Sequence, residues 1–155
     1  MTCTVVRAEP ADLDRLVPLF DAYRRFYRRP SELDRVRAFL GDRLRNRDSV
    51  VFLALAEPGG AAVGFTQLYP VFSSVSIGRA LILNDLFVVP EGRGRGVGAA
   101  LLERAAAFGR ETGARYLELE TEVSNEPAQR LYERLGWTRE TAFHRYALDL
   151  GTDHG

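Results

Sequence analysis

Between residues 83 and 108 the chain reads LNDLFVVPEGRGRGVGAALLERAAAF. Arg93, Gly94, Arg95, Gly96 and Gly98 stand between an apolar run and an Ala/Leu-rich stretch, with Val97 and Ala99 among them. Glycine frees the backbone to present N–H groups at a helix start, where the helix dipole adds positive potential. Such a loop can hold a phosphate, with Arg93 and Arg95 adding charge from its rim. Carboxylates offer a second chemistry. Asp85 lies beside Asn84 in an otherwise apolar run, and burial there would raise its pKa and make it a better proton acceptor. A structural carboxylate bonded to backbone is the other reading. Glu118, Glu120 and Glu122 recur at every second position, so on a strand they share one face. That row is either solvated or draws in a cationic amine.

These residues need elements to position them. TVVRA at 4–8 reads as a strand, and apolar residues at Leu13, Leu16, Val17, Phe20, Tyr23 and Tyr27 follow at helical spacing. Pro30 and Ser31 interrupt that pattern, and a second helix resumes with Ser31 as its cap. Residues 49–57 and 61–72 read as a hairpin around a turn at 57–60. A third strand over 79–89 runs into the glycine loop, and a helix covers 97–112. A strand at 114–123 and a helix from Asn125 come next, with Pro127 in its first turn and Gly136 past its end. One or two strands over 138–150 close the chain. This order predicts one mixed α/β sheet covered by helices.

With 155 residues, one domain with a real core is expected. Basic and acidic side chains balance at 21 each, which argues against a generic nucleic-acid or membrane binder. The aromatic and basic YRRFYRR at 23–29 reads as a helix face with rings inward and arginines outward. One cysteine and two distant histidines give no metal-ligand spacing. The N-terminus has no signal-peptide pattern, and no window reaches about eighteen uninterrupted apolar residues. A cytoplasmic bacterial protein is expected.

The phosphate has two candidate owners. GRGVGA satisfies G-x-G-x-x-A, and Glu118 and Glu120 follow at roughly the distance a dinucleotide fingerprint requires. That fold usually opens with its fingerprint and then needs several further βα units. Here most of the chain precedes the loop, so chain order favours another owner.

Arg93, Gly96 and Gly98 resemble the (Gln/Arg)-x-x-Gly-x-(Gly/Ala) loop of the GNAT superfamily of acyl-CoA-dependent N-acyltransferases. NEPAQRLYERLGW resembles that family's second motif at Asn125, Ala128, Leu131, Tyr132, Gly136 and Trp137. The resemblance implies a single N-acetyltransferase domain over 1–155, with a mostly antiparallel, splayed mixed sheet. It implies acetyl-CoA as co-substrate, its pantetheine arm along the backbone of Leu86, Phe87 and Val88 and its pyrophosphate over 93–98. Asn125 would contact the cofactor and Ala128 would lie beside it. Tyr132 would be the acid that protonates the departing thiolate, a leaving group of pKa about 8.5 on the cysteine scale. Its other reading is a core aromatic on the stripe with Ala128, Leu131 and Leu135. Backbone N–H groups near Val88 would hold the oxyanion.

Within the superfamily, LNDLFV is similar to the corresponding stretch of polyamine, amino-acid and yeast histone-type enzymes. Asn84 stands where the polyamine enzymes have Glu, which counts against a polyamine acceptor. The acceptor implied is a primary amine of a small molecule or peptide, bordered by Tyr27, Asn84, Glu118 and Glu120. Arg24, Arg25 or Arg28 would favour an amino acid if one of them held a carboxylate. A homodimer is implied by similar proteins. A module that binds acyl-CoA without turnover is the non-enzymatic alternative.

Overall fold

Four strands leave the chain in an order that pairs each with the next. β1 (Thr2–Arg7), β2 (Val50–Glu57), β3 (Ala62–Ser73) and β4 (Gly78–Val88) are antiparallel neighbours, and β5 (Leu117–Glu118) joins β4 in parallel. This computed structural model describes residues 2–58 and 60–151, so Gly59 of the expected turn and the ends of the expected 1–155 domain lie outside it. The described chain separates into two compact units divided between Glu120 and Thr121. A dinucleotide fold is built on a parallel sheet. Here only β4 and β5 are parallel among the described strands, so the dinucleotide reading fails on topology.

The sheet of the first unit is covered on both faces. β2 carries VVFLALA without alternation because both of its sides are buried. Leu53 joins Phe65 of β3 and the helices α1 (Leu13–Phe26) and α2 (Leu33–Asn46) in one cluster. Phe52 faces the other way and meets Phe108 of α3 (Val97–Glu111), with ring centroids 5.7 Å apart. α3 comes close to the sheet at Gly64. A Cβ there would sit 2.9 Å from the Phe87 carbonyl oxygen and 3.2 Å from a Val97 methyl.

The start of α2 differs from expectation. Glu32, not Ser31, is the residue before its first turn, and no side chain caps it there. The Ser31 hydroxyl instead donates to Asp21 Oδ2 at 2.7 Å, and the Glu32 backbone N–H donates to Asp21 Oδ1 at 3.0 Å. Asp21 is buried on α1, so two local hydrogen bonds and Arg25 at 3.4 Å satisfy a carboxylate that would otherwise be costly.

A β-bulge decides what β4 can do. Gln67 opposes Asp85, but Leu68 opposes Leu83, which leaves Asn84 as the extra residue on β4. Before the bulge, Leu81 N–H donates outward to Tyr116 O, and Arg79 O accepts from Arg115 N–H. After it, Val89 N–H donates inward to Val63 O. In an antiparallel ladder, backbone groups of alternate residues face the partner. Leu86 and Val88 therefore turn their N–H and C=O away from β3. The parity has flipped.

The bulge also accounts for the short β5. Only Leu81 and Ile82 pair with Leu117 and Glu118, because the ladder ends where β4 changes parity. The strand expected over 114–123 is reduced to two residues, and Glu120 and Glu122 are not on it.

The second unit contains α4 (Glu126–Arg134). Asn125 is its N-cap, with its side-chain oxygen accepting from Ala128 N–H at 3.3 Å, and Pro127 lies in the first turn as expected. The closing strands expected over 138–150 are not formed. Tyr146, Leu148 and Leu150 do alternate, yet all three are largely exposed. Strand spacing alone cannot hold a strand without a paired neighbour, and none of the described residues supplies one.

Candidate active site

The glycine loop begins where β4 ends. A short turn at Pro90–Gly92 leads to Gly94 and Gly96, whose φ values are 74° and 81°. Those left-handed positions flank Arg95, and a Cβ at either glycine would meet nothing within 4 Å. The glycines are needed for backbone conformation, not for space. Gly96 is the N-cap of α3, and the first helical bond runs from Ala100 N–H to Gly96 O at 3.0 Å. The N–H groups of Val97, Gly98 and Ala99 therefore have no partner within the helix, and they lie at the positive end of its dipole. Val97 itself turns its side chain into the core at 1% exposure. Such a helix start can hold an anion.

Arg93 is placed differently from a free phosphate ligand. Its Nε donates to Val88 O at 3.0 Å, and its guanidinium lies 5.6 Å from the Phe26 ring centre and 5.7 Å from that of Phe87. Arg95 is exposed. Of the three strand residues named for the pantetheine arm, Leu86 and Val88 present backbone outward. Phe87 turns its side chain into the core cluster at 7% exposure.

Asp85 is 5% exposed, on the sheet face that α1 covers. Gln67 Nε2 donates to its Oδ2 at 2.8 Å, and Asn84 Nδ2 donates to its Oδ1 at 3.2 Å. The Tyr23 hydroxyl bonds the same carboxyl and lies 3.4 Å from the Asn84 carbonyl oxygen. Burial pushes the Asp85 carboxyl above its ordinary range, and the hydrogen bonds from Gln67, Tyr23 and Asn84 only partly offset it. The acid in turn acts on its neighbours. Burial and the Asp85 charge raise the Tyr23 phenol strongly, and the same two causes push Tyr69 up to about 12. Tyr27 joins this surface through Tyr23, with ring centroids 5.2 Å apart.

Sequence reasoning missed Gln67, Ser49 and Tyr69. Their signal was the polar pair Thr66–Gln67 inside an otherwise apolar strand, opposite Asp85 once the register is known. The arginines proposed to hold a carboxylate have other partners. Arg24 pairs with Glu32 at 2.8 Å and Arg25 with Asp21 at 3.4 Å. Glu118 is exposed on β5, and Glu120 is exposed beyond it. Asn125 caps α4, which carries Ala128 and Tyr132 in the second unit, and Tyr132 lies 6.2 Å from Trp137 between ring centroids. The structure thus brings Asp85, Asn84 and Tyr27 to one region of the first unit, with the glycine loop at the end of the same strand.

Residues 16–137 match the acetyltransferase (GNAT) family. The chain belongs to that family. The acetyltransferase is 46% identical over 144 residues to the uncharacterized N-acetyltransferase YhfO of Bacillus subtilis, covering 93% of this chain and 95% of the relative. The crystal structure of "a probable acetyltransferase" superposes with a TM-score of 0.91 at 42% identity, covering 97% of this chain and 99% of that one. A shorter match, 38% identical over 90 residues, links the acetyltransferase to streptothricin acetyltransferase of Streptomyces lavendulae, covering 58% of this chain and 45% of the relative. The mixed, mostly antiparallel sheet that the family resemblance implied is the one found. The alternative of a binding module without turnover is set aside, since the relatives are named as acetyltransferases. Among the described residues no group of three His, Cys, Asp or Glu side chains is placed to hold a metal ion. No described helix is long and apolar enough to cross a membrane.

Proposed function

We propose that this acetyltransferase moves the acetyl group of acetyl-CoA to a primary amine of a small molecule or peptide, by direct transfer in a ternary complex. The observation that carries the reading is the parity change at Asn84. It turns the backbone of Leu86 and Val88 outward on the stretch that leads into the N-terminus of α3. An extended amide-bearing chain can pair with such an edge as an added strand does, with its phosphates at the helix start. Pantetheine joined to a pyrophosphate has that chemistry. The N–H near Val88 would then face the thioester oxygen and stabilise the charge that develops there.

Asp85 is the proposed base. A carboxyl held above its ordinary range is better matched to taking a proton near neutral pH than an exposed one. Tyr132 is the proposed acid, and Asn125 and Ala128 contribute to the cofactor site. Tyr27, Asn84, Glu118 and Glu120 border the acceptor. The named substrate of the streptothricin relative supports a small-molecule amine, and the engagement of Arg24 and Arg25 by Glu32 and Asp21 weakens the case for an amino-acid carboxylate. The proposal includes a homodimer in the cytoplasm.

Thiol release from acetyl-CoA across a panel of primary amines tests this function. The expected result is release that depends on the amine. Tyr132→Phe should lower kcat by about 100-fold or more, the usual worth of a positioned acid, with little change in the KM for acetyl-CoA. Normal kcat in the Tyr132→Phe variant would remove Tyr132 from the chemistry.

A further inference from the structure

The carboxyl of Asp85 is one end of a buried chain of polar side chains that links β4 through β3 to the residue before β2. The Ser49 hydroxyl, immediately before β2, donates to Gln67 Oε1 at 2.8 Å. The Gln67 amide then passes Nε2 to Asp85 Oδ2 at the same distance. Gln67 is 0% exposed and Ser49 5% exposed. Gln67 and Asp85 are directly opposed across the β3–β4 ladder, so their side chains share one face. That face is otherwise filled by Phe65 and Phe87 beneath α1. An apolar side chain at 67 would suit such surroundings, and a buried amide is tolerated only when its polar atoms are matched.

The direction of the chain carries the argument. A serine hydroxyl can donate or accept, whereas an amide has one donating and one accepting end. Because Ser49 donates to Oε1, the donating end of Gln67 faces the acid. An N–H aimed at a carboxylate favours the ionised form, the form that can accept a proton. We propose that Gln67, oriented by Ser49, is a positioning residue that keeps Asp85 ionised and aimed for its work as the base. The inference rests on the reading of Asp85 given above and adds the residues that set it.

The other groups facing Asp85 are Tyr23 from α1, Tyr69 from β3 and Asn84 from β4. Tyr69 is itself influenced by Arg43 and Asp48. Tyr23 and Asn84 also hydrogen-bond the carboxyl, so loss of Gln67 removes one of three side-chain supports and leaves two.

The test pairs kinetics with a direct titration. Gln67→Met keeps the volume and removes the donor, and Ser49→Ala leaves the amide but removes its orienting partner. The Asp85 carboxyl is followed by carbon-13 NMR of the aspartate-labelled protein, its resonance identified by its loss in Asp85→Asn. In Gln67→Met the carboxyl midpoint should rise by about one to two pH units, the worth of one hydrogen bond to a charged group. The low-pH limb of kcat should rise with it, and KM for acetyl-CoA should stay unchanged. Ser49→Ala should move both in the same direction by less. Should Gln67→Met fold poorly, the Ser49→Ala shift alone decides. A carboxyl midpoint unmoved in the folded variants overturns the inference. A midpoint that moves while the low-pH limb stays put rejects Asp85 as the base, and that separates failure of the functional reading from failure of the Gln67–Asp85 coupling.

Discussion

Asp85 holds its proton more tightly in the folded chain than in the unfolded one, and that has a consequence for stability. Between its ordinary pKa of 3.8 and its raised folded value, the native state binds more protons than the unfolded state. Stability from this group therefore falls as pH rises through that window. Asp85→Asn removes the slope. Urea unfolding of both proteins from pH 3.5 upward should show the variant gaining on the wild type as pH rises past about 4, then levelling off. A difference that is flat, or that runs the other way, would mean the carboxyl is not raised. At this scale the sequence was informative where a residue's chemistry depends on its immediate neighbours. Asp85 in an otherwise apolar run was legible as a buried acid, and the alternate glycines were legible as the turn that opens α3. Gln67 and Ser49 were not, because they sit 18 residues and more from Asp85 in the chain and meet it only through strand register.

The elements that set this geometry are β4 and α3. Gly64 lets α3 settle close to β3, and its missing side chain is a packing requirement, since a Cβ would meet the backbone oxygen of Phe87 as well as Val97 and Leu101. Gly64→Ala should lower stability by about 1–3 kcal/mol, as overpacking of a tight site does, read as a lower urea midpoint at unchanged m value. A midpoint equal to the wild type would show that α3 can shift at no cost. Helices and long strands were readable from apolar spacing, which is a local property. The strand expected at 114–123 was misread because its length is set by the bulge in its partner, not by its own residues. The acidic row at Glu118, Glu120 and Glu122 lost its common face for the same reason. The cap of α2 was misread because Ser31 is drawn to Asp21 on another helix.

For the whole molecule, chain order did more than any single motif. The fingerprint GRGVGA fits two folds, and the position of four antiparallel strands ahead of β5 decides between them. The alternating Tyr146, Leu148 and Leu150 carried a correct strand pattern without a strand, because pairing is a property of the assembled sheet. We propose that acetyl-CoA lies along the outward edge of β4 and over the start of α3. Amide hydrogen exchange resolved to single residues, with and without acetyl-CoA, tests it most directly. Bound acetyl-CoA should slow exchange at Leu86, Val88, Val97, Gly98 and Ala99. Saturating acetyl-CoA that leaves those five amides unchanged would contradict it.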